Sequence, residues 1–119
     1  MINIKKQYRP PKYGNKKVTY DGLEFDSVKE MNRYAELKLL ERAKEIRNLQ
    51  TQVKFILIPA QKVDGKVVER ECSYIADFVY QNAKSGELFV EDAKGFKTET
   101  YKIKKKLMLW VHGIHIKEV

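Results

Sequence analysis

In the second half of this 119-residue chain, three charged residues occupy positions where apolar ones are expected. Asp77 lies in CSYIADFVY, whose two-residue alternation predicts a strand with Ser73, Ile75, Asp77 and Val79 on one face and Cys72, Tyr74, Ala76, Phe78 and Tyr80 on the other. Asp92 and Lys94 close the run ELFVEDAK, where Leu88, Val90, Asp92 and Lys94 point one way and Phe89, Glu91 and Ala93 the other. The intervening QNAKSGE supplies turn chemistry, so the two runs read as a hairpin that brings Asp77 and Asp92 together from neighbouring strands. Burying one unpaired charge costs several kcal/mol, so the charges must compensate one another or hold an ion. Two carboxylates with a peptide carbonyl and waters make a hard, oxygen-rich site of the kind Mg²⁺ prefers. A lysine on the same face would orient the attacking water and offset phosphate charge, which suits hydrolysis of a phosphodiester. The plainer alternative is a cross-strand salt bridge between Asp77 and Lys94, worth about 0 to 1 kcal/mol if exposed.

The elements that must position these groups follow from local signals. VTYDGLEF alternates around Asp21-Gly22, a dipeptide suited to a tight hairpin. Ser27 and Glu30 have capping-box spacing, and good helix formers continue to about Lys44. Leu37, Tyr34, Met31 and Ala35 form the apolar arc of this helix, and Glu30 falls within it. Glu30 is then either only a cap or a third acid aimed at the sheet. VKFILI, ended by Pro59, and GKVVERE read as strands. After Gly95, Thr98 or Glu99 can start a second helix, whose stripe of Ile103, Leu107, Trp110 and Val111 is expected to face the sheet, making Trp110 a core residue. Gly113 suits the position after that helix, and IHIKEV reads as a last strand, parallel to the one before the helix. The fold class is α/β, a mixed β-sheet flanked by helices.

These residues resemble the PD-(D/E)XK nucleases, a superfamily that includes restriction enzymes and Holliday junction resolvases. Asp77 in IADF matches the first acid, Asp92-Ala93-Lys94 the (D/E)XK triplet, and Glu30 the acid often found on the first core helix. The order helix, three strands, helix, strand over roughly residues 27 to 119 is similar to the restriction-endonuclease-like core (α-β-β-β-α-β). FDSVKEMNRYAELKLLERAKEI, YIADFVY and VEDAKG are similar to a group of small phage and prophage proteins in that superfamily. The resemblance implies catalytic roles for Glu30, Asp77, Asp92 and Lys94, with Mg²⁺ or Mn²⁺ held by Asp77, Asp92, Glu30 and the Ala93 carbonyl. Two departures stand beside it: Ala76 occupies the nominal proline position, and Glu91 adjoins Asp92 but points to the opposite face.

Charge indicates the partner. The net charge is +8, and residues 1–17 carry six basic residues (Lys5, Lys6, Arg9, Lys12, Lys16 and Lys17) without an acid. A basic arm of 1–17 before a single domain of 18–119 suits DNA phosphates, with Tyr8 and Tyr13 available to stack; a merely solvated terminus is the alternative. Lys102, Lys105 and Lys106 fall within about 100° on the second helix, either to clamp phosphates or as a solvated face. His112 and His115 receive no role. The core takes up nearly the whole chain, leaving no module to read bases, which favours recognition of DNA shape. The expected protein is a metal-dependent endonuclease on branched DNA in phage replication or recombination, acting as a homodimer without a small-molecule cofactor. A restriction-like or nicking enzyme on duplex and an inactive DNA-binding accessory protein are the alternatives. One cysteine, Cys72, and the lack of an apolar leader or span point to an intracellular protein with no membrane partner, and the resemblance to phage proteins implies the cytoplasm of a bacterial host cell.

Overall fold

The structure is a computed structural model that describes residues 17–119. Lys5, Lys6, Arg9, Lys12 and Lys16, with Tyr8 and Tyr13, lie outside the described residues. The described residues begin with the expected hairpin of β1 (Val18–Tyr20) and β2 (Leu23–Phe25), with Asp21 (φ 55°) and Gly22 (φ 77°) in the left-handed region at its turn. Helix α1 (Val28–Arg42) starts where the capping signal places it: Ser27 Oγ accepts from the Glu30 N–H at 3.1 Å. The reciprocal bond goes one residue further back, since Glu30 Oε1 accepts from the Asp26 N–H at 3.3 Å.

Strand β3 (Ile46–Ile58) follows, then the short hairpin β4 (Gln61–Val63) and β5 (Lys66–Glu69), the long β6 (Cys72–Asn82) and β7 (Leu88–Asp92). Helix α2 (Glu99–His112) and β8 (Lys117–Glu118) complete the chain. The main sheet has the order β3-β6-β7-β8, antiparallel except for the parallel β7–β8 pair made by the α2 crossover. The fold is therefore α/β with a mixed sheet. GKVVERE does form a strand, but β4 and β5 pair only with each other. Every residue of the two is exposed, so nothing apolar draws them into the sheet.

The helices lie on opposite faces. Tyr34 and Leu37 of α1 pack with Phe25, Ile46, Phe78 and Tyr80, while Tyr101 and Met108 of α2 pack with Leu57, Tyr74, Ala76, Val79, Val90 and Ile116. This partition corrects the expected face of β6: Tyr74 and Ala76 belong under α2, Phe78 and Tyr80 under α1. The cause lies in the neighbouring strand. Gln52 of β3 takes a left-handed backbone (φ 54°), and the ladder passes from Thr51–Phe78 to Val53–Ala76 without pairing Gln52 to Asp77. A residue in that conformation breaks the two-residue alternation, and the break falls at Asp77.

The orientation of α2 also differs from expectation. Tyr101 and Met108 are its buried residues, whereas Trp110 is 86% exposed and Ile103 and Val111 are also exposed. Apolar residues occur on more than one side of this helix, and the aromatic Tyr101 with the flexible Met108 fills the sheet-facing side.

Candidate active site

The acids gather where β6 and β7 part. The antiparallel ladder ends at Phe78–Glu91, and one step further would set Asp77 opposite Asp92. Instead, the Ala93 N–H donates to Asp77 Oδ2 at 2.8 Å. Gln52, held outward by its unusual backbone, donates its amide N–H groups to Glu30 Oε2 at 3.2 Å and to Asp77 Oδ1 at 3.3 Å. One side chain thus bridges the helix acid and the strand acid. Sequence reasoning missed Gln52, because a left-handed residue within a strand leaves no mark when the residue is not glycine.

Asp92 is 1% exposed and Glu91, its neighbour on the opposite face, 0% exposed. The two carboxylates are treated differently. Arg33 on α1 forks onto Glu91, Nε to Oε1 at 2.8 Å and Nη2 to Oε2 at 2.7 Å, and the Tyr80 hydroxyl adds a third bond. Burial works against ionisation of Glu91, but the Arg33 and Tyr80 hydrogen bonds outweigh it and hold the carboxyl below its ordinary range. Asp92 has a donor on Oδ2 alone, from the Tyr74 hydroxyl. Its Oδ1 is buried without a hydrogen-bond partner, and the Lys94 ammonium lies 3.5 Å away. Lys94 therefore pairs with Asp92, so the salt bridge to Asp77 is not formed.

Burial pushes the Glu30 carboxyl up to about 7, and the charge of Asp77 adds to the rise. Asp77 is raised to about 6, mainly by burial, with Asp92 repelling its charge and the Ala93 N–H partly offsetting both. These acids lack enough positive charge around them. One more aromatic residue and a second lysine complete the surroundings. The Lys94 ammonium sits 4.9 Å from the centre of the Tyr101 ring, and Lys29 Nζ donates to the Lys94 carbonyl at 3.2 Å.

Glu30, Asp77, Asp92, Ala93 and Lys94 are thus brought together as expected. Among the described residues, no three acids or histidines stand close enough to grip an ion in the present placement. The donor chemistry nonetheless fits a hard divalent cation, for Asp92 Oδ1 is an orphaned buried oxygen beside two acids with raised pKa values. The expected phosphate contacts lie elsewhere. Lys17 pairs with Asp26 at 3.6 Å, Lys102 with Glu99 at 3.1 Å and Lys105 with Glu118 at 3.1 Å, while Lys106 makes no ion pair among the described residues. No helix among the described residues is long and apolar enough to cross a membrane.

Residues 10–114 match a family described as a protein of unknown function, DUF1064, a span that includes every member of the acidic centre. No curated protein and no solved structure matches the chain. The chain belongs to the DUF1064 family.

Proposed function

We propose that this DUF1064 member is a metal-dependent DNA endonuclease of the PD-(D/E)XK kind, selective for branched DNA in phage replication or recombination and acting as a homodimer in the bacterial cytoplasm. One observation carries the reading. Of two adjacent buried carboxylates, Glu91 is neutralised by an arginine fork, whereas Asp92 keeps a buried oxygen with no hydrogen-bond partner, 3.5 Å from the Lys94 ammonium, and its charge helps raise the carboxyls of Asp77 and Glu30.

The roles follow from this contrast. Asp77, Asp92 and the Ala93 carbonyl, with Glu30 beside them, would hold Mg²⁺ or Mn²⁺, which when bound supplies Lewis-acid charge at the phosphate and makes water a stronger acid. Tyr74 fixes one oxygen of Asp92 and so aims the other into the centre. Gln52 keeps Glu30 and Asp77 apart by bridging them, which limits their repulsion. Lys94, supported by the Tyr101 ring, orients the attacking water and offsets charge developing on the phosphate. Glu30, raised to about 7 by burial among the other acids, would give up its proton as a cation binds beside it. Lys102, Lys105, Lys106, Lys17 and the basic residues of 1–16 supply phosphate contacts without base reading.

The test incubates the protein and its Asp92→Ala variant with labelled four-way junction, flap and linear duplex in Mg²⁺, Mn²⁺ or EDTA. Symmetrical, metal-dependent cutting of the junction, lost in the variant, is expected. Discrete cuts on linear duplex would favour the restriction-like alternative. Tight, salt-sensitive junction binding without cutting would replace the proposal with the accessory-protein alternative.

A further inference from the structure

A second feature lies beside the acidic centre. Glu118, the register partner of Asp92 across the parallel β7–β8 pair, turns into a cavity of about 450 Å³ walled by α2. Its carboxylate is gripped from three directions: Lys97 at 2.9 Å, Lys105 at 3.1 Å and the Tyr101 hydroxyl at 2.8 Å. These donors hold its carboxyl down at about 2. Lys102, Lys106 and His115 line the same cavity, so four lysines face two acids, Glu99 and Glu118. The excess is two positive charges, before any contribution from the histidine. Donors from a loop and a helix therefore already converge on a pair of anionic oxygens. The Glu118 side chain remains 22% exposed, which leaves the grip open to solvent.

We propose that the cavity between α2 and β8 is a phosphate-binding site, separate from the acidic centre, in which Glu118 keeps Lys97 and Lys105 in position until a phosphate group takes over their hydrogen bonds. The carboxylate is the internal stand-in for that oxyanion. Tyr101 connects the two sites, since its hydroxyl belongs to the Glu118 cluster and its ring supports Lys94. A phosphate here would lie one strand across from the scissile group. It would be either a neighbouring backbone diester or the terminal monoester that phosphodiester hydrolysis leaves at one new end. That the phosphate belongs to nucleic acid rests on the nuclease reading; that the cavity takes phosphate does not.

Titration of the full chain with inorganic phosphate, followed by backbone amide NMR shifts, tests the site without any cutting. Saturable shifts at Lys97, Tyr101 and Glu118 are expected. Glu118→Gln frees two lysines and should tighten phosphate binding several-fold, while the Lys97→Ala/Lys105→Ala pair should weaken it about tenfold or more. The amide spectrum of each variant reports whether it is folded. Shifts absent from the cavity, or weaker phosphate binding by a folded Glu118→Gln, would overturn the proposal. Oligonucleotides with and without a terminal phosphate separate the two sources. A preference for the phosphorylated end, lost in the double variant, identifies the monoester. Equal affinity, with the salt slope reduced by about one per lysine removed, identifies the backbone. If the double variant changes neither quantity, the site does not take nucleic-acid phosphate. The junction assay with Asp92→Ala decides the nuclease reading independently.

Discussion

Replacing Glu30 by glutamine should stabilise the protein at pH 8, although it removes a group that the proposed chemistry uses. The Glu30 carboxyl rises from about 4.5 to about 7 on folding, chiefly because it is buried. Between these values the folded chain binds a proton that the unfolded chain has released, so stability falls as pH rises and the full penalty is present above pH 7. At about 1.36 kcal/mol per unit, this amounts to about 3 kcal/mol. In the wild type the Asp26 N–H and the Gln52 amide donate to different oxygens of Glu30, and the single amide oxygen of the variant can replace only one of them; the lost hydrogen bond costs about 1 kcal/mol, so about 2 kcal/mol should be recovered. For a domain of this size that corresponds to about 8 °C in Tm. The assay is thermal unfolding of wild type and Glu30→Gln at pH 5, 6, 7 and 8 in EDTA. The two curves should converge near pH 5 and separate toward pH 8, with the variant higher. Asp77, raised to about 6, gives the wild type a further slope of the same sign, while the lowered carboxyls of Glu91 and Glu118 act only at more acid pH. A wild-type Tm that climbs from pH 5 to pH 8, or a variant less stable at pH 8, would refute the account of an uncompensated acid cluster.

Three further outcomes are expected. Arg33→Ala should destabilise by about 3–5 kcal/mol in urea unfolding, because it strands the buried Glu91 charge, and Arg33→Ala/Glu91→Gln should recover part of the loss. Trp110→Ala should change stability by less than about 1 kcal/mol, whereas Met108→Ala should cost about 2–5 kcal/mol, since only Met108 is enclosed. Asp77→Ala should abolish junction cutting and leave junction binding, measured by gel shift in EDTA, largely intact; cutting at the wild-type rate would remove Asp77 from the centre.

Features that depend on neighbouring residues were legible in the sequence. The Asp21-Gly22 turn, the Ser27 cap and the alternation of β7 need only local sterics and hydrogen bonding, and the hairpin then brings Asp77 toward Asp92. The face of α2 was not legible, because Ile103 and Trp110 are as apolar as Met108 and periodicity cannot say which side meets a sheet. The first half of β3, RNLQTQ, lacks the apolar alternation by which VKFILI was legible, and its sequence does not show the irregularity of Asn48 and Gln52, which take positive φ on an edge strand. That irregularity places the Gln52 amide between Glu30 and Asp77. The Arg33 fork needed knowledge of where α1 lies on the sheet; the only advance sign was that an inward-facing Glu91 requires a cation.

The contacts of the acidic centre also bear on when it comes into existence. Lys29 reaches a carbonyl 65 positions away, and the Gln52 bridge joins positions 30 and 77 across 22 and 25 residues. Closures of this kind cost more chain entropy than local turns and helices do. The β6–β7 hairpin alone holds Asp77 and Asp92, but Glu30 and the bridging amide arrive only when α1 and β3 dock. A chain emerging from synthesis, or one partly opened by heat, therefore carries an incomplete set of groups, and assembly of the reactive centre coincides with completion of the sheet.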